Sequence, residues 1–211
     1  ALMAGFTTFR DAGSVSEGLK LAFDEGVLPG PRIYPCGAYI SQTCGHGDSE
    51  YAHTYRDIQY RHPSSTVLVD GVPEIIRAVR EQFYRGASHI KLMATEILNR
   101  HEDIRLLFGT DMMITGPDYQ VEQSEDIRYY EKRFGTMRAL RALTGTANEV
   151  FALTTYQNPY PKGKIGVLEA GSYADLLLVD GDPTKSVSVL ADTDHLRLIM
   201  KGGTVYKNTL C

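Results

Sequence analysis

A chain of 211 residues can build one good-sized domain, or a domain with a small appendage. Its net charge of −4 argues against a nucleic-acid or anionic-membrane surface, and no apolar run approaches the ~20 residues of a membrane-spanning helix. Cys36, Cys44 and Cys211 are odd in number and lack metal-type spacing, so free thiols and a reducing, cytoplasmic compartment are favoured. The first residues, Ala1 to Gly5, carry neither an initiating Met nor a signal-peptide layout and read as the continuation of a longer chain.

Gly5 to Asp11 is β-rich and ends in Asp11-Ala12-Gly13-Ser14, which reads as strand, turn and helix N-cap. The helix is expected to run from Glu17 through Phe23 and stop at Gly26. After the Pro29-Gly30-Pro31 turn, Arg32 to Ile40 reads as a second strand that enters the polar loop Ser41 to Asp48. Tyr51 to Thr66 has no period and reads as an irregular loop or lid. Asp70-Gly71 opens a helix with Pro73 in its first turn and a stripe of Val72, Ile75, Ile76, Val79 and Phe83 at helical spacing. Gly86 ends it, and Ala87 to Met93 reads as a third strand with His89, Lys91 and Met93 on one face.

Leu106-Leu107-Phe108-Gly109-Thr110-Asp111 is an apolar run that stops on a carboxylate, the pattern of a strand buried on both faces. Parallel strands keep their chemistry at their C-terminal ends. Asp111 either binds a cation there or caps the following loop. One helix is expected over Asp126 to Phe134, and another from Thr136 carrying Met137, Leu140, Leu143, Ala147 and Val150 on one side. The tail changes to short strands at Ile165–Leu168, Ala174–Val179, Leu198–Met200 and Thr204–Tyr206, with Gly202-Gly203 as a hairpin turn.

Several of these segments, in this order, resemble the metal-dependent amidohydrolase superfamily. They are Gly5-Phe6-Thr7-Thr8-Phe9-Arg10-Asp11, Gly30-Pro31-Arg32-Ile33, Gly45-His46-Gly47-Asp48, Ile90-Lys91-Leu92 and Phe108-Gly109-Thr110-Asp111. The most specific match is the run from Gly163 to Pro183, which is similar to the strand-turn-strand closing the family's small β-domain. The nearest subgroup contains Xaa-Pro dipeptidases, carboxypeptidases releasing basic residues, and imidazolonepropionase-like proteins.

The resemblance implies an α/β fold, a partial (β/α)8 TIM-type barrel over residues 1–155, with residues 156–211 forming the C-terminal part of a small β-sandwich. It also implies two zinc ions per full-length chain, bridged by hydroxide and by a carboxylated Lys91. Asp111 would be a metal ligand and the general base and acid of amide hydrolysis, and His46 a substrate contact. Carboxylation needs the neutral amine, a form that burial favours, and turns a cation into an anionic bridge. Read without the family, Lys91 is an ordinary strand-end lysine in an ion pair and His46 a solvated loop histidine. His89 is expected as an interior histidine satisfied by hydrogen bonds, and Arg10 with Asp11 as a structural ion pair at the strand end, with a catalytic-face pair as the alternative. The implied substrate is a small amide or dipeptide, the implied assembly a homo-oligomer, with no nucleic-acid or membrane partner.

The family's first-strand His-x-His and the single histidines of its fifth and sixth strands are absent, and the link from Met93 to Ile104 is short for a route round a barrel. A chain discontinuity near residues 94–96 is therefore expected, together with an inactive, metal-free state for these residues alone. A non-catalytic relic or assembly subunit is the alternative. An unrelated phosphate-binding α/β protein is disfavoured because no glycine-rich phosphate loop opens a helix.

Overall fold

The computed structural model describes residues 1–13, 16–45, 47–48, 66–93, 105, 107–110 and 119–210, with 119–124 as backbone only. Strand β1 (Thr8–Arg10) pairs in parallel with β2 (Arg32–Tyr34), with Phe9 opposite Ile33. Strand β3 (Tyr39–Ser41) pairs in parallel with β4 (Thr66–Leu68), and on its other side Ile40 makes a single parallel bridge to Leu92. Parallel strands need crossover connections. Helix α1 (Glu17–Asp24) supplies the one between β1 and β2, ending as expected where Gly26 turns left-handed at φ 72°.

The expected strand Arg32–Ile40 is split in two. Pro35 has no N–H to donate, and Gly37 sits at φ 66°, outside the range of a strand. The gap is closed from helix α2 (Val72–Tyr84), where the buried Gln82 Oε1 accepts from Ala38 N at 3.0 Å. A Cβ on Gly37 would stand 2.5 Å from that same oxygen, so only glycine fits. Strand β4 was not foreseen: Val67, Leu68 and Val69 lie just past the irregular stretch, and the run is too short to stand out. Helix α2 was foreseen, but its inner face is Ala78 and Gln82, while Val72, Ile75 and Ile76 are exposed.

Two further expectations are corrected. Residues 107–110 form no strand; Tyr130 Oη donates to the Leu107 carbonyl at 2.7 Å and Phe108 packs among helical residues. Residues 87–93 form no continuous strand either, only the bridge at Leu92, flanked by Ile40 N donating to the Lys91 carbonyl and Met93 N donating to the Ile40 carbonyl.

The second half begins with α3 (Tyr119–Phe134), α4 (Thr136–Leu143) and α5 (Gly145–Ala152). The single helix expected from Thr136 to Val150 breaks at Thr144, whose hydroxyl donates to the Leu140 carbonyl and whose own carbonyl would lie 2.5 Å from a Cβ on Gly166. Ala139 and Ala142 face inward, and Met137 is exposed. Ile165–Leu168 is not a strand: Ile165 instead plugs a core of Tyr34, Phe151 and Tyr160. The tail forms an antiparallel sheet of β5 (Leu176–Val179), β6 (Leu196–Lys201) and β7 (Thr204–Asn208). Gly202 and Gly203, both at positive φ, make the expected hairpin turn between β6 and β7.

Arg32 of β2 and Asp175 just before β5 form a buried ion pair at 2.5 Å. Asp175 also accepts from Gly202 N, and the Arg32 guanidinium stacks on Tyr173 with its carbon 4.1 Å from the ring centre. The result is a mixed α/β fold of small sheets, with no closed barrel among the described residues. Among those residues no helix is long and apolar enough to cross a membrane.

Candidate functional site

Lys91 is the one predicted site residue within the described set. Its backbone carbonyl is fixed by the 2.9 Å bond from Ile40 N, so its place follows the register of β3. The side chain is half-buried, and no hydrogen bond or ion pair to a described residue engages its ammonium. His46, Asp111 and the segment 94–96 lie outside the described residues, as do His53, His62, His101 and the Tyr51–Tyr60 cluster.

The loop that carries His46 is tied down on both sides. Asp70 accepts from Thr43 N at 3.2 Å and from the Thr43 hydroxyl, Asp48 accepts from Cys44 N at 2.8 Å, and Ser41 Oγ accepts from Gly47 N at 3.1 Å. Cβ atoms on Gly45 or Gly47 would lie within 3 Å of Ser41, so the loop needs both glycines. Reading Asp70 only as the start of a helix missed this second role; its signal is the Thr43 hydroxyl, which needs an acceptor across the sheet end.

Two residues before Lys91, His89 is satisfied as expected. Its Nε2 donates to the Asp11 carbonyl at 2.8 Å, because a carbonyl can only accept, and its Nδ1 faces Ser88 Oγ at 3.0 Å. Burial, together with the nearby Arg10 charge, pushes its pKa down to about 4 against the Asp11 hydrogen bond, so it is neutral at pH 7. Asp11 is used structurally: its carboxylate accepts from Ser16 Oγ at 2.7 Å and from Gly13 N at 3.1 Å, holding the entry to α1. Arg10 makes no ion pair with a described residue. It lines a cavity of about 350 Å³ with Ser88, His89, Phe83 and the end of α5. Among the described residues no group of three His, Cys, Asp or Glu side chains could hold a metal, and the two described cysteines, Cys36 and Cys44, are free.

No family profile matches the chain. A 105-residue stretch is 37% identical to ochratoxinase from Aspergillus niger, covering 45% of this chain and 22% of that enzyme. The matched stretch is thus under a quarter of the length of that curated relative. Among solved structures, an amidohydrolase superposes with TM-score 0.70 at 22% identity, over 100% of this chain and 77% of its own. A prolidase complexed with N-methylphosphonate-L-proline superposes with TM-score 0.71 at 22% identity, over 98% and 77%. The Aspergillus niger ochratoxinase structure gives 0.68 at 18% identity, over 99% and 73%. The chain shares the fold of these structures along nearly its whole length, and no closed barrel forms among its described residues.

The described residues fit the metals that the sequence resemblance implies only in part. Lys91 is in place as a half-buried amine without a described partner, but one donor does not make a site that needs three or four protein ligands per metal.

Proposed function

We propose that this chain is part of a metal-dependent hydrolase that cleaves C–N bonds in small substrates such as dipeptides or N-acyl amino acids. On this reading residues 1–155 belong to a (β/α)8 barrel and residues 156–211 to a small β-sandwich. Lys91, carboxylated, and Asp111 hold the divalent metals, zinc by family resemblance, which when bound supply an acidified water and polarise the substrate carbonyl. Asp111 takes the proton from the attacking water and delivers it to the leaving nitrogen, and His46 orients the substrate from the loop pinned by Asp70 and Asp48.

The observation that supports the reading is the state of Lys91. Its amine is half-buried and no hydrogen bond or ion pair to a described residue engages it, which leaves it available for carboxylation and for holding a metal. The relatives add weight: one is named a prolidase and another ochratoxinase, both hydrolytic enzymes.

Metal content and hydrolysis, measured on the full-length protein expressed with zinc and bicarbonate, test the proposal. About two metal equivalents per chain and cleavage of some dipeptide or N-acyl amino acid are expected, both lost in Lys91→Ala. No metal and no cleavage under those conditions would leave a non-catalytic relic or assembly subunit in its place.

A further inference from the structure

The cavity beside Arg10 has a mixed lining: Arg10 and His89 are polar, while Phe83, Leu153 and Tyr156 bring apolar surface. Its volume of about 350 Å³ is at the small end of the ~300–1,000 Å³ range of small-molecule sites. Leu153 and Tyr156 are 62% and 88% exposed, a large amount of apolar surface to leave at the edge of a hollow. The 3-10 turn Thr155–Gln157 forms that edge and holds Thr155 at φ 48°, a left-handed conformation that β-branched residues seldom adopt.

Charge narrows the occupant further. Arg10 has no ion pair to a described residue, whereas both ring nitrogens of His89 are engaged, Nε2 by the Asp11 carbonyl and Nδ1 by Ser88 Oγ. The guanidinium is therefore the cavity's unengaged donor, beside apolar side chains. A phosphate dianion would need more donors than this. A carboxylate matches the two-pronged face of a guanidinium, and an aryl or branched alkyl body would cover Leu153 and Tyr156.

We propose that this cavity binds small apolar monocarboxylates, with the carboxylate on Arg10 and the apolar body between Phe83 and Leu153. The site needs no metal and does not rest on the hydrolase reading, although the acid released by amide cleavage is a ligand of this class.

The test titrates the 211-residue chain with phenylacetate, phenylacetamide and inorganic phosphate, followed by calorimetry and by the His89 ring resonances. Phenylacetate should saturate and shift the His89 signals, while the amide and phosphate bind at least roughly tenfold more weakly, the worth of one charge-assisted hydrogen bond. Arg10→Gln should weaken phenylacetate by a similar factor. Leu153→Glu, an exposed position that puts a carboxylate at the cavity's edge, should do the same. Equal binding of the amide or phosphate, retention of affinity in Arg10→Gln, or absence of saturation would each overturn the proposal. Because metal and hydrolysis play no part in the measurement, its outcome is independent of the test of the hydrolase.

Discussion

The parallel strand pairs of the first half and the antiparallel sheet of the tail reach stability by different means. Strands β5, β6 and β7 follow one another within a short stretch and share a hairpin, and their core of Leu196 and Ile199 is completed by Leu2 from the N-terminal end. Strands β1 to β4 form two-stranded pieces, which are marginal alone. They are held by side chains that reach across large sequence separations: Arg32 to Asp175, Tyr160 to Ile33 and Asp24, and Tyr34 to Asn158. The hydrogen bonds of the antiparallel sheet are thus made mostly between neighbouring segments, whereas the parallel pairs draw on partners far along the chain.

The strongest way to break that contrast is Asp175→Ala. Leaving the Arg32 guanidinium buried and unpaired should cost about 3–5 kcal/mol. Amide exchange should show β1 and β2 losing protection first, with β6 and β7 still protected; equal loss in both would show that the tail depends on the same tie. Tyr160→Phe is the next largest. Its hydroxyl accepts from the buried Ile33 N at 3.0 Å and donates to Asp24 Oδ1 at 2.9 Å, so removal should cost about 1–3 kcal/mol in urea denaturation, again within the first half.

Acid titration sharpens the contrast with a smaller effect. His89 has its pKa lowered from 6.5 to about 4, so its contribution to stability is complete above pH 6.5 and lost as pH falls to about 4. Glu131 works in a lower window. Partial burial opposes its charge, but hydrogen bonds from Ser188, Thr136, Val187 and Ser186 outweigh it and hold its pKa at about 2, below the ordinary 4.5. Its contribution is complete above pH 4.5 and lost towards pH 2. The parallel half should therefore loosen at higher pH than the segment 187–191 detaches from α3, and Glu131→Gln should flatten only the lower step. Stability curves at stepped pH check both windows.

The same contrast explains what the sequence disclosed. Strands β5 to β7 and the Gly202-Gly203 turn were legible because their partners are neighbours and their turn chemistry is local. Helices α1 and α2 were legible from period and from Gly26 and Gly86. The break at Pro35–Ala38 and the pairing of β4 were not, since both depend on residues more than twenty positions away. Thr144, which ends α4, looks like an ordinary helix residue until Gly166 packs against its carbonyl. For the candidate site, Lys91 was singled out by the family resemblance and His89 as an interior histidine, and the structure bears out the hydrogen-bonded His89. The Arg10 cavity was not visible, because part of its lining comes from α5 and the turn that follows it.

Gln82 has a wider consequence. It spaces helix α2 from the sheet, holding Ala38 N on one oxygen while Gly37 admits no substitute, and the next rung along β3 is Ile40 with the Lys91 carbonyl. The helix therefore anchors the start of β3, and through the Ile40 rung that strand fixes the backbone at Lys91. Gln82→Ala, which removes the acceptor for Ala38 N, would loosen that backbone from a distance without any change at the residues beside it.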